Sequence, residues 1–172
     1  AAPVAAVALE TIASHAEAAA ITRALDALPA DSAVRGLDVW CSLTLTARGQ
    51  THDGRRWADV VALLDACAGV THVGLNCVPL DVCERGTRVA ARLTRKALVA
   101  YPNDGRRWTG REWLDPAGVA SLDPEQAEGQ YARCARAGAS VVGGCCNCGP
   151  AHIRAWRAHL DAEAARAASA AD

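Results

Sequence analysis

Three of the eight cysteines in this chain are spaced to do chemistry. The run Gly143-Gly144-Cys145-Cys146 follows Ala139-Ser140-Val141-Val142, so two adjacent thiols fall where a short β-branched run gives out into glycine. Adjacent cysteines make poor disulfide partners for each other, because the tight ring strains the S–S geometry. Both can turn toward one metal if the glycines let the backbone bend. A second run, His72-Val73-Gly74-Leu75-Asn76-Cys77, ends the same way on a single thiol. Three thiolates converging from two neighbouring strand tips suggest a zinc site with one coordination position left open. That arrangement serves chemistry, whereas a closed site of four protein ligands staples a fold.

The elements that must position these thiols alternate. Strand patterns cover Pro3–Leu9, Asp38–Leu45, His72–Cys77, Ala97–Tyr101 and Ala139–Gly143. Helical patterns cover Ser14–Leu28, Trp57–Cys67, Leu80–Thr94, Asp123–Ala137 and Pro150–Ala168. Ile21, Leu25 and Leu28 mark one helical face, and Val60, Val61, Leu64 and Cys67 mark another. Asp123-Pro124-Glu125 and Pro150 read as helix starts. Strands with near-continuous apolar runs, separated by helices, predict an α/β fold with a parallel sheet covered by helices. The polar residues Glu10-Thr11, Ser42, Thr44, Asn76-Cys77, Asn103 and Cys145-Cys146 all fall at the carboxyl ends of strands. In parallel α/β folds that edge binds ligands. The segment from Pro102 to Pro116, with Arg106, Arg107, Arg111, Trp108 and Trp113, reads as one long irregular connection, either functional or mobile or simply packed onto the surface by its two tryptophans.

Bulk composition narrows the classes. At 172 residues the chain suffices for one domain, taken as 1–172, with its core built from Ala, Val and Leu and no Phe or Met. A formal net charge of −1 leaves no nucleic-acid footprint. No apolar stretch approaches the roughly 20 residues of a membrane span. The Ala-rich start lacks a basic region, so it does not read as a signal peptide. Without a Met anywhere, the chain reads as a processed product or part of a longer one. Eight cysteines among long helices and buried strands speak for a reducing, cytoplasmic setting in which most thiols stay free. Cys41, Cys67, Cys83 and Cys134 fit as small core residues.

Taken together, four runs resemble the homocysteine S-methyltransferase family: Leu9-Glu10-Thr11-Ile12, Val73-Gly74-Leu75-Asn76-Cys77, Leu98-Val99-Ala100-Tyr101-Pro102-Asn103 and Val141-Val142-Gly143-Gly144-Cys145-Cys146. Gly149-Pro150-Ala151-His152-Ile153 extends the likeness. The pattern looks most like the branch that uses S-methylmethionine or S-adenosylmethionine. The resemblance implies a (β/α)8 TIM barrel, of which this chain holds about five of the eight strand–helix units. It also implies a zinc ion held by Cys77, Cys145 and Cys146, homocysteine and a methyl donor as substrates, and methionine as product. Glu10 matches the strand-end glutamate that contacts the amino group of homocysteine, and Asn76, beside a ligand, is expected to join it in the substrate site, donating a hydrogen bond next to the metal. Two departures are visible. The residues after the double cysteine are Asn147-Cys148-Gly149-Pro150, placing a further thiol nearby. The three N-terminal units of the family have no counterpart, which predicts open sheet edges and either self-association or a separate N-terminal half.

Other readings stay open at this stage. Glu10 could sit at the positive end of the next helix, Asn76 could cap backbone, and His152 reads as a surface residue. The chain could be a catalytically incomplete zinc-binding fragment or subunit. An iron–sulfur protein using Cys145, Cys146 and Cys148 fits poorly, because cluster motifs space their cysteines by two or more residues.

Overall fold

The computed structural model describes residues 4–104, 106–114 and 128–169. Strands β1 (Ala6–Ile12), β2 (Asp38–Leu43), β3 (His72–Asn76), β4 (Ala97–Tyr101) and β7 (Val141–Val142) form one sheet in that order. Every pairing in it is parallel. Helices α1 (His15–Asp26), α2 (Trp57–Ala66), α3 (Leu80–Ala90), α4 (Glu128–Arg136) and α5 (Pro150–Ser169) separate and follow the strands. This is part of a (β/α)8 barrel: five parallel strands with helices packed over one face.

The register shows why. Val39, Cys41 and Leu43 align with Val73 and Leu75, then with Leu98 and Ala100, in one continuous apolar face. Ala18 of α1, Val60, Val61 and Leu64 of α2, and Cys83 of α3 cover it, all fully buried. The opposite, concave face carries Ala6, Ala8 and Glu10 of β1, all exposed. It continues through Trp40, Ser42, His72, Gly74, Asn76, Val99 and Tyr101. Gly74 lies so close to its neighbours that a Cβ there would stand 2.5 Å from the Val99 carbonyl and 2.7 Å from Ser42 Oγ. Only glycine lets these three strands curve together at that point.

The four structural cysteines behave as small core residues: Cys41, Cys67, Cys83 and Cys134 are buried and free. Ile21 and Leu25 pack on the core as the helical spacing predicts, although the fully buried positions of α1 are Ala18 and Thr22. Ser14 caps α1 by accepting from the Glu17 N–H, and Glu17 in return accepts from the Ala13 N–H.

Several boundaries shift. β1 runs to Ile12, so Glu10 and Thr11 lie inside the strand, at a register irregularity between Leu9 and Ile12. The last strand of the sheet shortens to Val141–Val142, although the Gly143 N–H still donates to the Ala100 carbonyl at 3.0 Å. The connection expected to be wholly irregular contains an antiparallel ribbon, β5 (Arg107–Trp108) paired with β6 (Trp113–Leu114). The expected helix start at Asp123-Pro124-Glu125 lies outside the described residues. Among the described residues no helix is long and apolar enough to cross a membrane.

Candidate metal centre

The thiols of Cys77, Cys145 and Cys146 meet at the carboxyl edge of the sheet, all half-buried and all within 4.8 Å of one another. The two strand tips that bring them there are not neighbours, as the sequence suggests, but flank β4. Cys77 follows β3 and the double cysteine follows β7, so the sulfurs close over the end of the strand between them. Cys77 and Cys145 are joined as a disulfide, with Cα atoms 5.5 Å apart. Cys146 Sγ stands 3.5 Å from Cys77 Sγ and 3.9 Å from Cys145 Sγ.

These positions suit a tetrahedral zinc site. With Zn–S near 2.3 Å, two tetrahedral sulfurs sit about 3.8 Å apart, and the two Cys146 separations bracket that value. Reduction of the Cys77–Cys145 bond, with a small outward movement of those two sulfurs, would complete three corners and leave the fourth open. Softness agrees too, since thiolates favour zinc over magnesium or calcium.

The backbone around the thiols is specialised. Among the described residues, three non-glycine residues adopt positive φ: Thr11 (59°), Cys77 (52°) and Asn147 (63°). All three lie at this edge, and such conformations cost on the order of 1–3 kcal/mol each unless the surroundings enforce them. Asn76 enforces the first. Its Oδ1 accepts from the Thr11 N–H at 2.9 Å and its Nδ2 donates to Thr11 Oγ1 at 2.8 Å. The side chain is buried, and Nδ2 also faces Cys145 Sγ at 4.0 Å. Cys77 is fixed on both sides, by its N–H on the Tyr101 carbonyl and by Thr44 Oγ1 on its own carbonyl. Gly144 allows the second turn: a Cβ there would meet Cys148 Cβ at 2.4 Å and the Trp156 ring at 2.8 Å.

Glu10 is exposed on the concave face, where Oε2 accepts from the Tyr101 hydroxyl at 3.1 Å. Tyr101 is pushed up to about 12, mainly by burial, with the nearby Ser42 hydroxyl opposing the effect and the charge of Glu10 adding to it. The phenol therefore stays a neutral donor. Tyr101 was legible only as part of the Tyr-Pro-Asn run; nothing in its spacing announces a partner on β1. Asp104, buried at the exit of β4, carries no local sequence signal either. Cys148 stays outside the three-sulfur group, its Sγ facing the Pro102 carbonyl at 3.8 Å. His152 accepts from the Gly149 N–H and tilts against Trp156, away from the sulfurs.

A parallel sheet that gathers three thiols at the carboxyl edge of its strands defines an α/β barrel protein with a candidate thiolate metal site. The homocysteine S-methyltransferase family model matches residues 1–160. Among curated relatives, the selenocysteine Se-methyltransferase of Brassica oleracea var. italica is 31% identical over 156 residues, covering 90% of this chain and 43% of that protein. The homocysteine S-methyltransferase of Escherichia coli (strain K12) is 32% identical over 157 residues, covering 88% of this chain and 46% of that protein. Of solved structures, the metallated form of the homocysteine methyltransferase MmuM from Escherichia coli superposes with TM-score 0.67 at 30% identity, over 88% of this chain and 43% of that one. Its oxidized form superposes with TM-score 0.68 at 30% identity, over 88% and 44%. This chain belongs to the homocysteine S-methyltransferase family. It spans less than half the length of the relatives it matches.

Proposed function

We propose that this chain carries the zinc and homocysteine site of an enzyme that transfers a methyl group from a sulfonium donor, S-methylmethionine or S-adenosylmethionine, to homocysteine, forming methionine. The observation that carries the reading is the convergence of Cys77, Cys145 and Cys146 at the ligand-binding edge of the sheet. Bound zinc would supply one thing, a substrate thiol held as a nucleophilic thiolate at neutral pH. The three cysteines would hold the ion and leave one position for the incoming sulfur. Their combined negative charge favours a nucleophilic substrate sulfur, since a metal already carrying three thiolates withdraws less electron density from a fourth.

Glu10 would take the substrate ammonium, with Tyr101 fixing the carboxylate that receives it. Asn76 acts from beneath, holding Thr11 and hence the strand that presents Glu10. Because the ligands work only as thiolates, the reading suits a reducing compartment such as the cytoplasm.

Metal analysis and a methyltransfer assay on reduced protein test this together. The parent should retain about one zinc per chain, and Cys77→Ser, Cys145→Ser and Cys146→Ser should each lose it. Unchanged zinc content in these variants would refute the ligand assignment. Methionine formed from homocysteine and labelled S-methylmethionine or S-adenosylmethionine identifies the donor, and turnover with neither would overturn the sulfonium assignment.

A further inference from the structure

Because β4 lies between the strands that carry the thiols, its exit segment touches both tips. On one side Tyr101 accepts from the Cys77 N–H at 3.3 Å, and the Asn103 N–H reaches the Val78 carbonyl at 3.0 Å. On the other side Pro102 accepts from the Cys145 N–H at 2.8 Å, and the Asp104 N–H donates to the Cys146 carbonyl at 3.3 Å. Tyr101–Asp104 therefore spaces Cys77 from the double cysteine.

Asp104 adds a side-chain hold to this spacer. It is 2% exposed, an unusual place for a carboxylate without a dedicated purpose. Its Oδ1 accepts from the Arg106 N–H at 3.1 Å and from Asn147 Nδ2 at 3.2 Å. Its Oδ2 pairs with Arg106 Nε at 2.9 Å. Asn147 is the residue that turns the chain through positive φ directly after Cys146. Charge-assisted bonds to a buried carboxylate are stronger and more directional than neutral ones. Arg106 balances the charge, and Asn147 is left tethered from below.

We propose that Asp104, charged and oriented by Arg106, is a positioning residue for the metal site. It holds Asn147 in its left-handed conformation and thereby aims Cys146 Sγ at the other two sulfurs. The inference rests on the metal reading above and adds residues that lie outside the ligand set. Groups that orient ligands in this way typically contribute 10–100-fold in metal affinity.

The test is zinc affinity of the reduced chain, measured by competition with a colorimetric chelator, alongside the visible absorption of the cobalt-substituted protein. Asp104→Ala should bind zinc roughly 10–100-fold more weakly and weaken the tetrahedral cobalt bands. Asn147→Gly keeps the positive φ at an exposed position while removing the amide, so it tests the tether even if Asp104→Ala folds poorly. It should lose affinity in the same range. The two substitutions should be non-additive, the double variant binding about as weakly as the weaker single one. Parent-like zinc affinity in Asn147→Gly, or additive losses, would overturn the tether while leaving the metal site intact. A parent chain that binds no zinc would instead overturn the metal reading, and this inference with it.

Discussion

Asn76→Ala isolates the physical link between the sheet and the site. Asn76 makes two hydrogen bonds to Thr11, one through each polar atom of its amide. Together they contribute about 2 kcal/mol, and stranding the Thr11 N–H in a partly buried position adds about 1–2 kcal/mol more. Relaxation of Thr11 out of φ 59° returns about 1 kcal/mol. The net loss is therefore about 2–3 kcal/mol, which for a chain of this length lowers Tm by roughly 5–10 °C. Urea and thermal unfolding of the reduced, zinc-free protein measure it directly. Thr11→Ala supplies the control, because it removes the Oγ1 acceptor and leaves the backbone N–H in place. In that background the cost of Asn76→Ala should fall by about 1 kcal/mol, the share of the missing hydrogen bond. A loss below about 0.5 kcal/mol for Asn76→Ala, or simple additivity with Thr11→Ala, would refute the clamp. Homocysteine binding should weaken in parallel, since the irregularity between Leu9 and Ile12, which Asn76 clamps at Thr11, is the stretch of backbone that presents Glu10.

Three further outcomes follow from the same geometry. Tyr101→Phe removes the donor to Glu10, so the KM for homocysteine should rise with little change in the kcat of any turnover; an unchanged KM would remove Tyr101 from the substrate site. Alkaline pH should destabilise the fold, because burial pushes Cys41 from 9.0 up to about 12 and Tyr101 from 10.0 up to about 12. Between the ordinary and raised values the unfolded chain gives up protons that the folded chain keeps, so stability falls as pH rises from 9 to 12. Urea midpoints at pH 8 and 11 should diverge less in Tyr101→Phe and in Cys41→Ala than in the parent, and equal divergence would refute the assignment. Gly144→Ala drives a methyl into Cys148 and Trp156. It should cost about 1–3 kcal/mol in unfolding free energy and loosen zinc retention. A parent-like Tm would show that the turn has room the structure does not display.

Much of the site was legible before the fold was known. Glycines before a double cysteine, and a strand-like run ending on Asn76-Cys77, mark thiols at chain bends by residue type alone. Strand–helix alternation then places such bends at one edge of a parallel sheet, and Cys77, Cys145 and Cys146 do meet there. The core roles of Cys41, Cys67, Cys83 and Cys134 were also readable, since small apolar side chains inside apolar periodicity have nowhere else to go.

What the chain could not announce depends on contacts between residues far apart in sequence. That β4 separates the cysteine tips is a matter of strand order. Thr11 and Asn76 are 65 residues apart, and Glu10 and Tyr101 are 91 apart. Asp104 became a buried hold on Asn147 only when two loops closed on each other. Residue type and local period determine which groups are available and on which side of a strand or helix they lie. Which groups touch depends on sheet curvature, on the order of the strands and on a few backbone positions held at positive φ. Those are settled by packing over the whole domain, because no local segment stabilises them alone.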